Sequence, residues 1–280
     1  MEKIHVMMNG IPGNVVTTIA GHIQNDPRFK LLPFAMTGPE ITVDNYTLGQ
    51  TTIELIRPDH RDTAIKEIKE KFKKFICIDF THPTAVNDNV QFYVDNEVPF
   101  VMGTTGGDRE LLHETILSGN ISAVIAPNMA KQIVGFQAMM EYAATTFPDL
   151  FKDYSLTIRE SHQKTKADTS GTAKAMVNYF NQLGIPFSDK DIHQERDPAI
   201  QKNVWKIPEQ HLNGHAWHTY TLTSPDNTVC FEFSHNINGR DIYAQGTMDA
   251  AIFLHSKLKQ QDYQTTNGKI YTMIDVLKGK

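Results

Sequence analysis

The richest run of chemically capable side chains is Glu160-Ser161-His162-Gln163-Lys164-Thr165-Lys166-Ala167-Asp168-Thr169-Ser170-Gly171-Thr172. A histidine titrates near neutrality and can donate a proton to a carbanion-like centre, and a lysine can neutralise a carboxylate or assist the transfer. His162 and Lys166 supply that pair. The run reads as a polar loop entering a helix with a buried face of Ala173, Met176, Val177 and Phe180. Thr169 or Ser170 can cap that helix, and the N–H groups of Gly171 and Thr172 then face outward as a site for a carboxylate or phosphate. A proton donor, a cation and a helix N-terminus in one loop point to a small anionic substrate.

Two other patterns imitate catalytic motifs. Ser161-x-x-Lys164 matches the nucleophile motif of acyl-serine hydrolases but has no companion S-D-N or K-T-G. His211, His215 and His218 have zinc-like spacing, yet Asn213-Gly214 breaks any helix, and on a strand positions 215 and 218 point to opposite faces. No metal site is expected.

Glycine-rich turns precede this region. Gly10-Ile11-Pro12-Gly13-Asn14-Val15 follows a first apolar strand and opens a helix, so its N–H groups could face a pyrophosphate. A full dinucleotide fingerprint has a third glycine, where this chain has Val16. Gly103-Thr104-Thr105-Gly106-Gly107 and Ala126-Pro127-Asn128-Met129 end two later strands. Three such turns on one sheet are better explained by a cofactor than by three unrelated loops. The second strand ends at Thr37 without the acid that holds a ribose 2′-hydroxyl in NAD sites, a lean toward NADPH over NADH.

The elements that must position these groups alternate. Strands are expected at Ile4–Met8, Leu31–Met36, Thr52–Arg57, Phe75–Phe80, Phe100–Met102 and Ile121–Ala126, with helices at Val15–Ile23 and Asp62–Phe72. That order predicts a parallel α/β sheet with its ligand at the carboxyl ends of the strands. A long helix (130–147), a strand (154–160), the helix from Thr172 and a hairpin around Ser224-Pro225-Asp226-Asn227 then predict a mixed α+β unit. The segment 242–258 reads as a helix that can return to pack on the first unit.

The chain has 280 residues, 27 basic and 32 acidic, for a formal charge of −5, which offers nothing to nucleic acid or an anionic membrane. No run approaches the roughly 18 apolar residues of a membrane span. Forty per cent apolar residues exclude a disordered chain. Cys77 and Cys230 cannot form a disulfide framework and are read as buried thiols. With no apolar leader in Met1-Glu2-Lys3-Ile4-His5-Val6, the expected compartment is the cytoplasm.

Together the motifs resemble the 4-hydroxy-tetrahydrodipicolinate (dihydrodipicolinate) reductase family. Gly10-x-x-Gly13, Asp79-Phe80-Thr81, Gly103-Thr104-Thr105-Gly106, Ala126-Pro127-Asn128 and Glu160-x-His162-x-x-x-Lys166 with Ser170-Gly171-Thr172 occur in the family's order. Gln163 replaces the second of two adjacent bacterial histidines, the loop before Ser170 is one residue shorter, and Val15-Val16 replaces Met-Gly. The plant-type branch is the better likeness.

The resemblance implies a Rossmann-like domain (1–129 and 241–280) around a substrate-binding domain (130–240). It implies reduction of a cyclic dicarboxylated imine in diaminopimelate and lysine biosynthesis. His162 becomes the general acid and Lys166 its partner, while Ser170, Gly171 and Thr172 hold one carboxylate. Thr105 lies beside nicotinamide and substrate, Gln163 and Arg240 join the substrate residues, and Phe80 and Thr81 the cofactor residues. A homo-oligomer through the substrate-domain sheet is implied too. The alternatives are an NADPH-linked reductase of another small dicarboxylate and a non-catalytic dinucleotide sensor.

Overall fold

The computed structural model describes residues 2–260 and 268–279; the C-terminal part of the expected first domain that falls at 261–267 and Lys280 lies outside them. The elements run β1 (Ile4–Asn9), α1 (Asn14–Asn25), β2 (Phe29–Leu31), β3 (Phe34–Met36), β4 (Asn45–Leu48), β5 (Thr51–Ile56), α2 (Arg61–Phe72), β6 (Ile76–Asp79), α3 (Val86–Asp95), β7 (Phe100–Met102), α4 (Arg109–Ser118) and β8 (Ser122–Ile125). Then come α5 (Lys131–Thr146), β9 (Ser155–His162), α6 (Gly171–Gln182), β10 (His193–Glu195), α7 (Pro198–Asn203), β11 (His215–Thr223), β12 (Cys230–Asn238), α8 (Asp241–Gln260), β13 (Lys269–Tyr271) and α9 (Met273–Lys278). The chain divides into one compact unit up to Lys131 and from Asp241 onward, and a second from Gln132 to Arg240.

In the first unit six parallel strands stand in the order β13-β8-β7-β6-β1-β2. The α/β class read from the sequence is the class observed. Strand order reverses at β1 and β6, and Asn9, Asp79, Met102 and Ile125 are register partners at the carboxyl ends. The glycine turns after β1 and β7, the Ala126–Met129 turn after β8 and the Phe80-Thr81 turn after β6 therefore leave the same edge of the sheet. The core between strands and helices holds Met7, Ile65, Tyr93, Phe100 and Leu112 among others, all fully buried. Helix α8 packs into this unit, burying Ala244, Thr247, Ala251 and Leu254.

Two strands depart from expectation. Leu31–Met36 is broken, because Pro33 has no N–H to give a ladder and restricts Leu32. Leu32 N–H still bonds Val6 of the large sheet, whereas the Pro33 carbonyl already accepts from Glu54. The chain thus crosses into a small sheet, β3-β5-β4, which also takes the strand expected at Thr52–Arg57. Strand β13 closes the large sheet and was not foreseen, since three residues are too few for a periodic signal.

A buried polar network ties the strand ends together. Asp79 is fully buried, and its Oδ1 accepts from Thr81 N–H (3.0 Å), Thr81 Oγ1 (2.8 Å) and Thr104 Oγ1 (2.9 Å). Its Oδ2 accepts from Tyr93 (2.7 Å) and Asn89 (3.1 Å). Asn9 donates to the Tyr93 hydroxyl (2.8 Å), and its Oδ1 accepts from Met36 N–H (2.9 Å). Burial and Asp79 hold the Tyr93 phenol far above its ordinary range, so it stays a donor.

The second unit is a four-stranded mixed sheet, β10-β9-β11-β12. Its inner face carries Leu156, Ile158, Tyr220 and Leu222 under α5 and α6, which bury Met140, Ala144, Ala173, Met176, Val177 and Phe180. Cys77 is buried as expected, but Cys230 is exposed: it opens the edge strand β12, which has no partner on its far side among the described residues. Among the described residues, no helix is long and apolar enough to cross a membrane.

Replacing Tyr93 by Phe removes the hydroxyl that joins Asn9 to Asp79 and leaves both short of a partner. Urea unfolding should show a loss of about 1–3 kcal/mol with secondary structure unchanged; an unchanged midpoint would remove the network from the account of this sheet.

Candidate active site

The site residues fall into two groups, one in each unit. In the first unit the chain turns at Gly10, whose φ is +103°, where a Cβ would lie 2.3 Å from the Phe80 carbonyl oxygen. Only glycine fits there. Gly13 opens α1, and no side chain caps that helix. The backbone of Ile11, Pro12, Asn14 and Val15 therefore surrounds an unclaimed N-terminus at the strand-order reversal.

Thr37 is buried and donates its hydroxyl to the Ile11 carbonyl (2.9 Å), which braces this turn. Gly103 passes so close to the Phe80 ring that a Cβ would sit 2.3 Å from it. Thr104 bonds Asp79, while Thr105 is exposed beside it. Ala126 N–H bonds Met102, and Asn128 Oδ1 accepts from Ala130 N–H (2.9 Å), closing the turn before buried Met129. A strand-end turn with no side-chain cap, backed by glycines that a Cβ would block, fits a dinucleotide pyrophosphate. Arg109, missed in the sequence, donates to the Thr104 carbonyl (3.1 Å), and its Nη1 is buried without a partner among the described residues.

In the second unit the expected loop is shorter than the sequence implies. Glu160, Ser161 and His162 are the buried end of β9. Alternation along the strand sends Glu160 and His162 to the inner face and Ser161 to the other, where it meets His215 Nε2 at 2.9 Å. The polar side chains of Glu160 and Ser161 take part in buried structural hydrogen bonds. Glu160 is fully buried; its Oε1 accepts from Arg196 Nη2 (2.5 Å) and its Oε2 from Ser170 N–H (3.1 Å). Burial pushes this carboxyl up, but the His218 ring nitrogen at 3.7 Å, the Arg196 guanidinium and the Ser170 N–H outweigh it and hold it at about 2.

His162 is 6% exposed, and its Nε2 has no hydrogen-bond partner among the described residues. Its carbonyl accepts from Gln201 (2.7 Å). Burial first, and then His218, pull its pKa down to about 3. The imidazole is therefore neutral at pH 7 in the free protein, a condition that a proton donor must overcome. Ser170 is the first residue before α6, and its side chain makes no capping bond, contrary to the expected Ser/Thr cap. Its N–H is claimed by Glu160, while Gly171 has open space where a Cβ would stand.

Lys166 is bound to Asp168 (2.7 Å), and its backbone carbonyl accepts from Arg196 (2.9 Å). The structure thus gives its ammonium a carboxylate partner and no bond to His162. The carbonyl of Gln163 accepts from Lys166 N–H (3.0 Å), closing the turn. Arg240 lies over Gly214 and has no ion pair among the described residues.

His215 and His218 do point to opposite faces, as expected. Glu160, His162 and His218 instead bring one ligand atom each within 4.8 Å of one another. Arg196 already neutralises that carboxylate, which opposes a divalent cation. Arg196 carried no sequence signal, and His218 stood out only in a zinc-like spacing with His211 and His215, because their shared partner Glu160 is distant in the chain.

A parallel sheet with backbone turns at its reversal point, joined in sequence to a mixed α+β unit carrying a carboxylate-histidine cluster, defines an NAD(P)-type oxidoreductase architecture. The family models "Dihydrodipicolinate reductase, N-terminus" and "Dihydrodipicolinate reductase, C-terminus" match residues 4–129 and 133–277. The chain belongs to the dihydrodipicolinate reductase family. It is 45% identical over 249 residues to a probable 4-hydroxy-tetrahydrodipicolinate reductase 1, chloroplastic, of Oryza sativa subsp. japonica, covering 89% of this chain and 71% of that one. With the 4-hydroxy-tetrahydrodipicolinate reductase 1, chloroplastic, of Arabidopsis thaliana it shares 49% over 221 residues, 79% of this chain and 62% of that one. A solved dipicolinate-bound dihydrodipicolinate reductase from Paenisporosarcina sp. TG-14 has the same fold, with a TM-score of 0.65 at 18% identity, covering 97% and 98% of the two chains.

The low pKa values fix how the second unit responds to acid. His162 and His235 are both held at about 3 in the folded state, so the unfolded chain takes up protons first as the pH falls below 6.5. Their contribution is complete above that pH and is lost toward pH 3; that of Glu160 follows below pH 4.5. The melting temperature should drop between pH 7 and pH 5, and His235→Phe should make the drop smaller. Equal drops in both proteins would contradict this assignment.

Proposed function

We propose that this chain catalyses NAD(P)H-dependent reduction of 4-hydroxy-tetrahydrodipicolinate to tetrahydrodipicolinate, with loss of water, in diaminopimelate and lysine biosynthesis. The observation that carries the reading is His162, with an unpartnered Nε2, two residues along β9 from the Glu160 carboxylate that holds the Ser170 N–H ahead of α6. The nicotinamide, when bound, supplies hydride; everything else falls to the chain. Gly10–Val15, Phe80, Thr81, Gly103–Thr105 and Ala126–Met129 hold the dinucleotide through backbone groups. Ser170, Gly171 and Thr172 take one carboxylate, with Gln163 and Arg240 as further polar contacts.

His162 is the proton donor. A substrate with two carboxylates raises the pKa of a nearby imidazole, which reverses the effect of burial. Lys166 contributes charge near that carboxylate once released from Asp168. The reading works without a metal.

On cofactor choice the folded loop changes the lean. The Glu40 carboxylate turns back onto Gly38, 2.2 Å from where a Cβ would stand, and residues 37–44 contain no Lys or Arg. A 2′-phosphate there meets an acid and no cation, so NADH is used at least as well as NADPH. The edge strand β12, with Phe231 and, just before it, Val229 about 40% exposed, is the surface through which we place a homo-oligomer. A reducing compartment suits the unpaired cysteines; the cytosol is our reading, and a chloroplast is what the names of the plant relatives state.

Loss of absorbance at 340 nm, with substrate generated in situ from pyruvate and aspartate semialdehyde by its synthase, tests the activity. Wild type should oxidise NADH at least as fast as NADPH, and His162→Ala should lose about 10²–10⁴-fold in kcat while still binding NADH. On the basic side kcat should fall at a higher pH than kcat/KM, because substrate raises the His162 pKa. Binding of NADH without turnover of this substrate would move the reading to another dicarboxylate, and full activity of His162→Ala would remove the proton donor.

A further inference from the structure

Gln194, Glu160, His218 and His235 stand in register across all four strands of the second sheet. The adjoining row, Ile158, Tyr220 and Phe233, is hydrophobic, and one more apolar residue at 218 would continue it. His218 is instead 2% exposed, and neither ring nitrogen has a hydrogen-bond partner among the described residues. A buried imidazole in that state is costly and needs a reason.

Its surroundings supply one. From β9, Glu160 Oε2 lies 3.7 Å from His218 Nε2, and the His162 ring meets His218 edge to face with centroids 5.1 Å apart. From β12, His235 stacks on it at 4.6 Å and is itself partly exposed, with Tyr220 Oη at 3.2 Å from its Nε2. Arg196 pairs with Glu160, and its charge and that of Lys166 both disfavour a proton on His162. The helices contribute Phe136, Ala173, Met176, Val177 and Phe180 to this side, none of them charged. Of the three imidazoles, His218 is the one with a ring nitrogen within ion-pair distance of a carboxylate.

We propose that His218 is a positioning residue that stores, opposite Glu160, the proton that His162 delivers. The inference rests on the reading of His162 as donor. When a dianionic substrate binds, an N–H bond of the His218 imidazolium breaks and an N–H bond forms at His162, over a separation within 4.8 Å that one water spans. His162 then gives this proton to the hydride-reduced substrate and returns to neutral imidazole. Neutral His218 recovers a proton from solvent on the side of His235.

Two variants and one spectrum test this. In ¹⁵N-histidine spectra of the free protein titrated downward in pH, the first proton taken up by the cluster should sit on His218, its signal identified by loss in His218→Phe. First uptake at His162 or His235 overturns the proposal whatever the substrate. In the coupled assay, folded His218→Phe should lose about tenfold or more in kcat, with a larger solvent isotope effect and the KM for NADH unchanged. His218→Gln keeps an N–H for Glu160 but cannot pass a proton, so it should stay as slow; recovery of wild-type kcat there would make the role structural and end the proposal. If neither variant folds, the His218 signal is assigned in the wild type through its ring-to-backbone correlations and the same titration decides: first uptake at His218 supports the proposal, and first uptake at His162 or His235 overturns it. An inactive wild type would sink the substrate reading, while an active wild type matched by active variants would sink only this one.

Discussion

A carboxylate removed from water must have its charge matched by donors, and this requirement shapes both halves of the molecule. Asp79 and Glu160 are each fully buried at the end of a strand. Asp79 gathers donors from its own turn, from α3 and from the turn after β7. Glu160 gathers Arg196, the N–H that precedes α6 and the His218 ring. Neither carboxylate faces a ligand in the proposed reaction. Each determines where the groups that do so stand, because leaving one of its oxygens unmatched would cost more than bending a loop.

That division explains an asymmetry between the two units. Around Asp79 the donors are neutral hydroxyls, amides and a backbone N–H, so the network is rigid and electrically quiet. Around Glu160 they are a guanidinium and a backbone N–H, with the His218 ring nitrogen 3.7 Å away, so this network carries formal charge next to titratable rings. The first arrangement suits a backbone cradle for a dinucleotide. The second suits proton transfer, and it accounts for a histidine held far below its ordinary pKa in a position where a donor is wanted. In the proposed reaction, the desolvation that opposes protonation of His162 in the free protein is overcome by a ligand bringing negative charge, so the donor takes up its proton when the substrate is there to receive it.

Much of the first unit was legible because parallel strands with crossover helices repeat one local pattern, and local pattern is what a sequence displays. Gly10, Gly103 and the turns after β1, β7 and β8 stood out because strand–glycine–helix is read within a few residues. Where the pattern failed, the reason was local too: Pro33 split one expected strand, and β13 was too short to show a period. In the second unit the chemistry-bearing residues Glu160, His162 and Ser170 were visible, yet their setting was misjudged. A run of polar residues reads as a solvated loop unless its partners are known, and Arg196 and His218 lie 36 and 58 positions beyond Glu160.

The sequence by itself determined the class of fold, the family, the backbone turns that suit a dinucleotide and the histidine proposed to move a proton. These follow from spacing within single elements and from motif order, which need no knowledge of what packs on what. Tertiary structure decided that Glu160 and His162 are buried strand residues, that Lys166 faces Asp168, that Glu40 folds onto Gly38 and that three histidines share one pocket of the sheet. The burial of Glu160 and His162 and the grouping of the histidines depend on register between strands distant in the chain, the other two on how a loop folds back on itself, and burial then holds the His162 pKa low.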